Sequence, residues 1–483
     1  MRCYSLIALQ TVGLFIAVAC SGGNDGLPSP SPTGGAAGTS SAGSPGAGTS
    51  AAGTSTATGG SASGGSTAGT GGSSAGTGGN AGAATGGGGV ATGGGGSATA
   101  GSSSAGSGGA SSTGWVGTWA CAPQTTEDNN LPPSPGLANN TLRQMVRVSI
   151  GGSRLRLRLS NEYGTAPVVL TSTHIAKSQG AGAIDTATDK ALSFNGAASV
   201  TIPAGQLVWS DPIDFQLAPL TNLAVSIHFG AQSGAVTGHP GSRTTSFLQT
   251  GDAVATASLA TATKTEHWYF ITGIDVMADA GSAAVVVLGD SITDGRGSTT
   301  DMNNRWPDYL AQRLQANPAT SKVGVLNMGI GGNNVLSGGL GPTASARFDH
   351  DVIQQSGVRW LIVLEGVNDI GASGGETVAN GLIDAYKTFV MKAKAANIRA
   401  YGVPILPIVG SQYAGGESTR KTINDWIRTS NTFDAVLDLD AAVRDPANPT
   451  QLLPAYDSGD KLHLSPAGYQ KMAEAVDLSL FTP

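Results

Sequence analysis

Several features that define whole classes of protein are scarce in this chain of 483 residues. It has three cysteines, a formal net charge of −6 and no cluster of Lys or Arg. So few cysteines exclude a fold held together by disulfide bonds, and an acidic chain without a basic patch argues against nucleic acid as a partner. Beyond residue 19, no apolar run is long enough to span a bilayer.

Residues 21–114 lack the side chains from which a hydrophobic core is built. This stretch consists almost wholly of Gly, Ser, Ala and Thr, with one charged residue, Asp25, and no aromatic residue. It cannot bury enough apolar surface to offset the chain entropy that is lost on folding. We therefore predict a disordered linker over residues 21–114.

The first 20 residues have the composition of an export signal. Arg2 is followed by an apolar stretch to Ala19, and the small residues Ala17, Val18 and Ala19 come directly before Cys20. This ending resembles a bacterial lipoprotein processing site, which implies that a lipid on Cys20 anchors the protein in the outer membrane. Cleavage by a general signal peptidase, with release of an extracellular protein, is the alternative. Either outcome predicts export.

Residues 115–278, hereafter the β region, read as a series of short strands. Segments 145–150 and 155–159 alternate between apolar and other side chains, and the glycine pair between them predicts a hairpin. Further short strands are predicted at 166–171, 199–202, 213–217, 223–229 and 267–276. Short strands at such spacing, with turn residues between them, indicate an all-β sandwich.

The tryptophans, histidines and single cysteine of the β region each have a structural and a functional interpretation. Its four tryptophans would suit stacking on sugars if exposed, or would otherwise fill the core: Trp115, Trp119, Trp209 and Trp268. Its histidines lack the spacing of metal ligands, so we interpret them as structural or surface residues: His174, His228, His239 and His267. Cys121 has no sulfur partner, and we interpret it as a small buried residue rather than a reactive thiol.

Residues 279–483, hereafter the α/β region, alternate between strand and helix patterns. The predicted strands are 285–288, 323–327, 360–364, 399–404 and 435–439, and the predicted helices are 305–314, 344–355, 377–396, 418–429 and 465–480. This alternation predicts a parallel sheet with helices on both faces. Within the second predicted helix, His350 is interpreted as a solvated residue. In such sheets, ligands bind at the carboxyl ends of the strands.

Chemically useful residues follow these predicted strands. The first strand ends in Gly289, Asp290 and Ser291, which places a serine on a tight turn as a candidate nucleophile. Asp290 is expected to cap the helix that follows. Glycines after the second strand, Gly332 among them, allow backbone N–H groups to approach a substrate closely. Asn368, after the third strand, offers an amide donor.

A candidate general base lies near the C-terminus. Asp460 and His463 are three residues apart on one loop, and a carboxylate beside an imidazole can orient it as a general base. Gly-Asp-Ser and Asp-x-x-His each occur once in the chain. Together with the backbone and amide donors, they form the constellation expected for acyl transfer.

With these motifs, the chain resembles the SGNH (GDSL-type) hydrolases over residues 283–480. The resemblance implies a flavodoxin-like three-layer α/β/α fold, with Ser291 as the nucleophile and Asp460 and His463 as the other triad members. It also implies an oxyanion hole formed by the N–H groups of Ser291 and Gly332 and the amide of Asn368. It implies no metal and no cofactor.

A looser resemblance extends into the β region. Segments 115–119 (Trp-Val-Gly-Thr-Trp) and 159–164 (Leu-Ser-Asn-Glu-Tyr-Gly) are similar to a two-domain branch of that family, which includes bacterial arylesterases and xylan acetylesterases. We therefore expect a serine ester hydrolase that removes acetyl groups from polysaccharide. The alternatives are an arylesterase or lipase for small or lipid esters, and a glycan-binding surface lipoprotein without catalysis.

Overall fold

The computed structural model describes residues 114–482. The predicted export signal at 1–20, with Cys20, and the predicted linker up to residue 113 lie outside the described residues. Among the helices of residues 114–482, none combines the length and the apolar character that crossing a membrane requires.

The β region is rich in strands, as predicted, and every pairing between them is antiparallel. One sheet has the order β1-β16-β4-β10 with β9 beside β4; a second has the order β14-β13-β3-β11-β5-β6 with β7 and β8 beside β5; the third is β15-β12-β2. The strands are β1 (Trp115–Ala120), β2 (Gln124–Thr125), β3 (Asn140–Arg147), β4 (Gly152–Ser160), β5 (Val168–Gly180), β6 (Ala183–Ile184), β7 (Lys190–Ala191), β8 (Val200–Ile202), β9 (Leu207–Trp209), β10 (Ile213–Leu217), β11 (Asn222–Phe229), β12 (Thr237–His239), β13 (Ser246–Thr250), β14 (Thr263–Thr265), β15 (Trp268–Tyr269) and β16 (Ile271–Met277).

The hairpin predicted at the glycine pair is wrong. Strand β3 pairs with β11 and β13, whereas β4 pairs with β9, β10 and β16, so the two strands belong to different sheets. Alternation gives each strand one apolar face but does not specify its partner. The glycines instead allow a close approach within one sheet, since a Cβ on Gly152 would lie 2.7 Å from the carbonyl oxygen of Met277 in the neighbouring strand β16.

The α/β region contains a five-stranded parallel sheet. Its strands are β17 (Ala283–Gly289), β18 (Val323–Gly329), β19 (Val358–Leu364), β20 (Arg399–Gly402) and β21 (Ala435–Val436). They pair in the order β18-β17-β19-β20-β21, so β17 lies between the two strands that follow it in sequence. In sheets of this order, ligands bind outside the carboxyl end of the first strand.

Helices occupy most connections of this sheet, and two predictions about them are corrected. The predicted strand 435–439 is short, and a helix begins at Leu439 because the Asp438 carboxylate accepts the N–H of Ala441. The last helix ends at Glu474 rather than 480, and Asp477 caps a separate 3₁₀ turn by accepting the N–H of Ser479. The helices are α1 (Ser291–Asp294), α2 (Trp306–Ala316), α3 (Ala344–Phe348), α4 (Val367–Ala372), α5 (Gly375–Ala395), α6 (Glu417–Thr429), α7 (Leu439–Val443) and α8 (Pro466–Glu474).

The β region and the α/β region share one hydrophobic core and meet where β1 crosses β18. A Cβ on Gly324 of β18 would lie 2.6 Å from the backbone carbonyl oxygen of Gly117 in β1, so this crossing requires glycine at residue 324. Beside it, Ser149 Oγ accepts the N–H of Val325 at 2.9 Å, on the outer edge of β18. The border predicted between residues 278 and 279 lies in the turn from β16 to β17 and stays a prediction.

His350 also joins the two regions, and its interpretation as a solvated residue is wrong. Its Nδ1 lies 2.6 Å from Asp351 Oδ1, and its Nε2 lies 3.3 Å from Glu162 Oε1 in the β region. Burial opposes protonation, but the two carboxylates outweigh it and raise the pKa of His350 to about 9. At neutral pH an imidazolium is therefore held between two carboxylates across the junction.

The tryptophans and Cys121 of the β region are mainly structural. Trp119 and Trp268 are buried and pack edge to face, whereas Trp115 and Trp209 lie on the guanidinium of Arg156. The Cys121 thiol is buried and donates to a backbone carbonyl, and burial raises its pKa. The prediction of a small buried cysteine is confirmed.

Candidate active site

Ser291 stands at the carboxyl end of β17, an inner strand of the parallel sheet. One residue, Asp290, separates it from β17, and it is the first residue of the short helix α1. The Asp290 carboxylate accepts the N–H of Ile292 at 2.9 Å, which confirms the predicted capping role. Ser291 is only 7% exposed, so its hydroxyl lies in a shielded position.

The loop before α8 brings Asp460 and His463 to this serine. Ser291 Oγ lies 2.8 Å from His463 Nε2, and His463 Nδ1 lies 2.7 Å from Asp460 Oδ2. The other carboxylate oxygen, Oδ1, accepts the backbone N–H groups of Leu462 and His463 at 3.0 and 2.8 Å. The three residues predicted from separate motifs thus form one continuous chain of hydrogen bonds.

The electrostatic setting suits a neutral imidazole beside an ionised carboxylate. Burial lowers the pKa of His463, the Asp460 carboxylate opposes this, and the positive charges of Arg296 and Arg243 lower it further. Burial also works against ionisation of Asp460, but the hydrogen bonds from His463 and Leu462 lower the pKa of that carboxyl overall. At neutral pH His463 Nε2 is therefore able to accept the serine proton.

Two further predicted residues flank the serine because their strands flank β17. Gly332 lies in the turn after β18, and Asn368 lies in α4 after β19. Among the hydrogen bonds of residues 114–482, neither the N–H of Ser291 nor that of Gly332 has a protein acceptor. The Asn368 amide donates to the Asn333 carbonyl at 2.8 Å and so retains one N–H hydrogen.

Tyr413 is a contact of the site that the sequence did not reveal. Its hydroxyl donates to Asn368 Oδ1 at 3.0 Å and therefore fixes which end of the amide is the oxygen. Asn368 is held on both sides, by Tyr413 and by the Asn333 carbonyl. The only available signal was a tyrosine in a connection after β20, which carries no motif.

Buried charges beneath the site tie the three strand ends together. Arg347 donates to the carbonyl oxygens of Gly289 and Met328, at 3.0 and 2.6 Å, and to Asn333 Oδ1 at 3.1 Å. Its guanidinium also pairs with Asp351 and Glu365. Burial raises the pKa of Glu365, and the neighbouring Asp290 raises it further. The network holds the ends of β17, β18 and the turn after β18 at fixed positions.

The triad opens into a cleft of about 410 Å³ that has one wall from each region. His239 of the β region is buried, with Nδ1 2.9 Å from the Ala122 carbonyl and Nε2 3.0 Å from Asp294 Oδ1 at the end of α1. His239 is thus a structural residue, as interpreted, and it also lines the cleft. The β region lines the cleft with Gln124, Glu127, Asn130, His239, Arg243 and His267.

Comparison with known proteins places this site in a family. The model of the GDSL-like lipase/acylhydrolase family matches residues 287–471, which include all five predicted active-site residues. Residues 287–471 are a GDSL-like lipase/acylhydrolase domain. The chain is accordingly a carboxylic ester hydrolase. None of the curated proteins compared with the sequence matches it.

Solved structures similar to the GDSL-like domain include three esterases or lipases. An acetylxylan esterase from Geobacillus stearothermophilus is 22% identical, over 40% of this chain and 93% of that chain, with a TM-score of 0.32. A carbohydrate acetylesterase from Sinorhizobium meliloti is 15% identical, over 40% and 96%, with a TM-score of 0.31. A GDSL-like lipase from Bacteroides thetaiotaomicron VPI-5482 is 19% identical, over 41% and 87%, with a TM-score of 0.32.

Proposed function

We propose that this ester hydrolase removes acetyl groups from an extracellular polysaccharide through an acyl-enzyme on Ser291. The observation that carries the proposal is the hydrogen-bond chain from Ser291 Oγ through His463 to Asp460. It joins a nucleophile, a base and an orienting carboxylate, which is the arrangement that activates a serine.

The first half of the reaction forms the acyl-enzyme. His463 Nε2 takes the proton of Ser291 as Oγ attacks the ester carbonyl, and Asp460 stabilises the imidazolium that results. His463 then returns the proton to the departing sugar hydroxyl. In the second half, His463 takes a proton from water as the water oxygen attacks the acyl carbonyl. His463 then returns the proton to Ser291 Oγ as the bond to the acyl group breaks, which releases acetate and the free serine.

The negative charge that develops on the carbonyl oxygen needs donors that are already in place. The N–H groups of Ser291 and Gly332 and the amide of Asn368 fill this role in the proposal. Support comes from the two N–H groups that have no acceptor within residues 114–482, and from the fixed orientation of Asn368. No reorganisation of these donors is then needed during the reaction.

The lining of the cleft favours a short acyl group on a polar alcohol. Most of its side chains carry hydrogen-bonding groups, including Gln124, Asn130 and Gln412, whereas the aliphatic side chains are Leu340 and Leu462. Leu340 is half exposed at the rim and Leu462 is buried. A long acyl chain would find two leucine side chains here, whereas sugar hydroxyls would find many hydrogen-bonding partners.

Export would bring the enzyme to a polymer that cannot enter the cell. We infer a signal at residues 1–20, a lipid on Cys20 and outer-membrane attachment through the linker at 21–114, from the sequence alone.

The finer description of the fold is also inferred. The order of the parallel sheet, together with the packing of α2 on β18 and of α5 on β20, supports a flavodoxin-like three-layer arrangement with helices on both faces.

The deciding experiment measures acetate released from acetylated xylan beside the hydrolysis of aryl esters with short and long acyl chains. We expect release from the polymer, hydrolysis of the short-chain ester, and little activity on long chains. Ser291→Ala should abolish all three while leaving binding of the polymer intact. Hydrolysis of long-chain esters alone would overturn the polysaccharide proposal in favour of a lipase, and binding without hydrolysis would favour a surface binding protein.

A further inference from the structure

Two arginines, one from each region, line the cleft that contains Ser291 and His463. Arg243 belongs to the loop between β12 and β13 of the β region, and Arg296 follows α1 in the α/β region. Both guanidinium groups are close enough to act on His463, whose pKa their positive charges lower. Two cations therefore stand beside the position at which the ester must bind.

The Arg296 guanidinium forms no ion pair with a carboxylate of residues 114–482. Arg296 is exposed at the cleft. The contact that fixes this residue is made by its backbone, whose carbonyl accepts the Tyr469 hydroxyl. The side chain is thus anchored at its base while its donors remain available.

Arg243 is only partly satisfied by protein contacts. Its nearest carboxylate oxygen is Asp294 Oδ2, 3.6 Å from Nη2, while the other oxygen of Asp294 lies against His239. Within the part of the chain that the structure describes, Arg243 Nε is buried and has no hydrogen-bond partner. By contrast, the buried Arg347 donates to five oxygen atoms within the same residues.

The backbone of Arg243 is held in an unfavourable conformation. Its φ of +51° lies in the left-handed region, which is unfavourable for a non-glycine residue. Asp301 maintains it, because its N–H donates to the Arg243 carbonyl at 3.0 Å and its carboxylate accepts from Thr245. Strain retained beside an active site is typical of residues with a binding role.

Of the acidic groups at the cleft, Asp294 alone pairs with one of the two arginines, at 3.6 Å from Arg243, and it is shared with His239. Glu127 accepts hydrogen bonds from Gln124 and Asn130, and Asp460 is bonded to His463. The whole chain carries a charge of −6, so two available cations in its cleft contrast with the rest of the molecule. A guanidinium binds carboxylates strongly, because its N–H groups match the two oxygens.

We propose that Arg243 and Arg296 form a subsite for a carboxylate on the substrate, next to the scissile acetyl ester. The preferred polymer is then an acetylated acidic polysaccharide, in which uronic acid residues carry or adjoin the acetylated hydroxyl. This inference rests on the proposed deacetylation of polysaccharide and specifies its substrate. The carboxylate takes no part in bond breaking, so the products remain acetate and the free hydroxyl.

The test compares the full-length enzyme on acetylated polygalacturonate and on an acetylated neutral glucomannan. We expect kcat/KM to be about tenfold or more higher on the acidic polymer, and added salt to reduce the difference. Arg243→Gln and Arg296→Gln should each lower the ratio of the two values about tenfold, chiefly through KM. Arg296→Lys, which keeps the charge, should restore part of the preference.

The matched control is Arg359→Gln, because Arg359 is exposed at the start of β19, the end of the strand opposite the catalytic residues. This variant should leave the ratio unchanged. Equal activity of the wild type on both polymers, or a ratio unaffected by both cleft variants, would overturn the carboxylate subsite alone. Absence of acetate release from both polymers, with aryl acetate still hydrolysed, would instead overturn the proposed function on which it rests.

Discussion

The α/β region and the β region contribute to one cleft in different ways. Every residue assigned to the reaction lies in the α/β region, at the end of a parallel strand or in the loop before α8. The β region supplies a wall of polar and charged side chains, His239 and Arg243 among them. The difference indicates that bond-breaking groups are carried by short local motifs, whereas the surroundings of the substrate arise from packing between distant segments.

The largest effect should follow from removing the nucleophile in the α/β region. We expect Ser291→Ala to lower kcat on an aryl acetate by on the order of 10⁴–10⁶-fold, because no other group can form the acyl-enzyme. Circular dichroism and the unfolding temperature should stay close to those of the wild type. If a variant of the β region such as His239→Gln were equally inactive while folded, the assignment of all reacting groups to the α/β region would be wrong.

Substitution of Asn368 should have the second-largest effect, because its amide would stabilise charge in the transition state. Asn368→Ala is expected to lower kcat by about 10²–10³-fold with little change in KM. Tyr413→Phe removes only the hydroxyl that orients this amide and should cost far less, with its effect again in kcat. A fall confined to KM in both variants would show that Asn368 binds substrate rather than the oxyanion.

The junction between the regions should respond to pH through His350. A pKa raised from 6.5 to about 9 means that the stabilisation is fully present below about pH 6.5 and is lost as the pH rises through 9. The free energy of unfolding should therefore fall by on the order of 1–3 kcal/mol between pH 7 and pH 10. Denaturant titrations of the wild type and His350→Gln would test this, since the variant should lack that part of the decrease.

The smallest effect should be a displacement of the acid limb of the pH–rate profile. The lowered pKa of His463 keeps the imidazole neutral below its ordinary value, so kcat/KM should persist below pH 6.5 and fall only at lower pH. Arg243→Gln removes one of the positive charges that lower this pKa, and the limb should move to higher pH. An unchanged acid limb would mean that Arg243 of the β region does not lower the pKa of His463.

The sequence predicted the side chains that meet in the hydrogen-bond chain of Ser291, His463 and Asp460, because each motif follows directly from local geometry. A strand, a tight turn and a serine are contiguous, and the four residues from Asp460 to His463 lie in one loop. The same approach failed for the pairing of β3 and β4, since alternating apolar residues do not name a partner strand. It also missed Tyr413 and the position of His239, because neither belongs to a pattern and both act through contacts with residues more than 40 positions away.

The hydroxyl of Ser149 bears on how the protein can be divided for study. By accepting the N–H of Val325, it satisfies a main-chain donor on the edge of β18 that no strand of the parallel sheet covers. A fragment started at residue 279 would leave that side bare, together with the apolar surface that β1 covers. Exposed strand borders recruit other chains, so we expect such a fragment to precipitate on expression, even though every group needed for hydrolysis would be present.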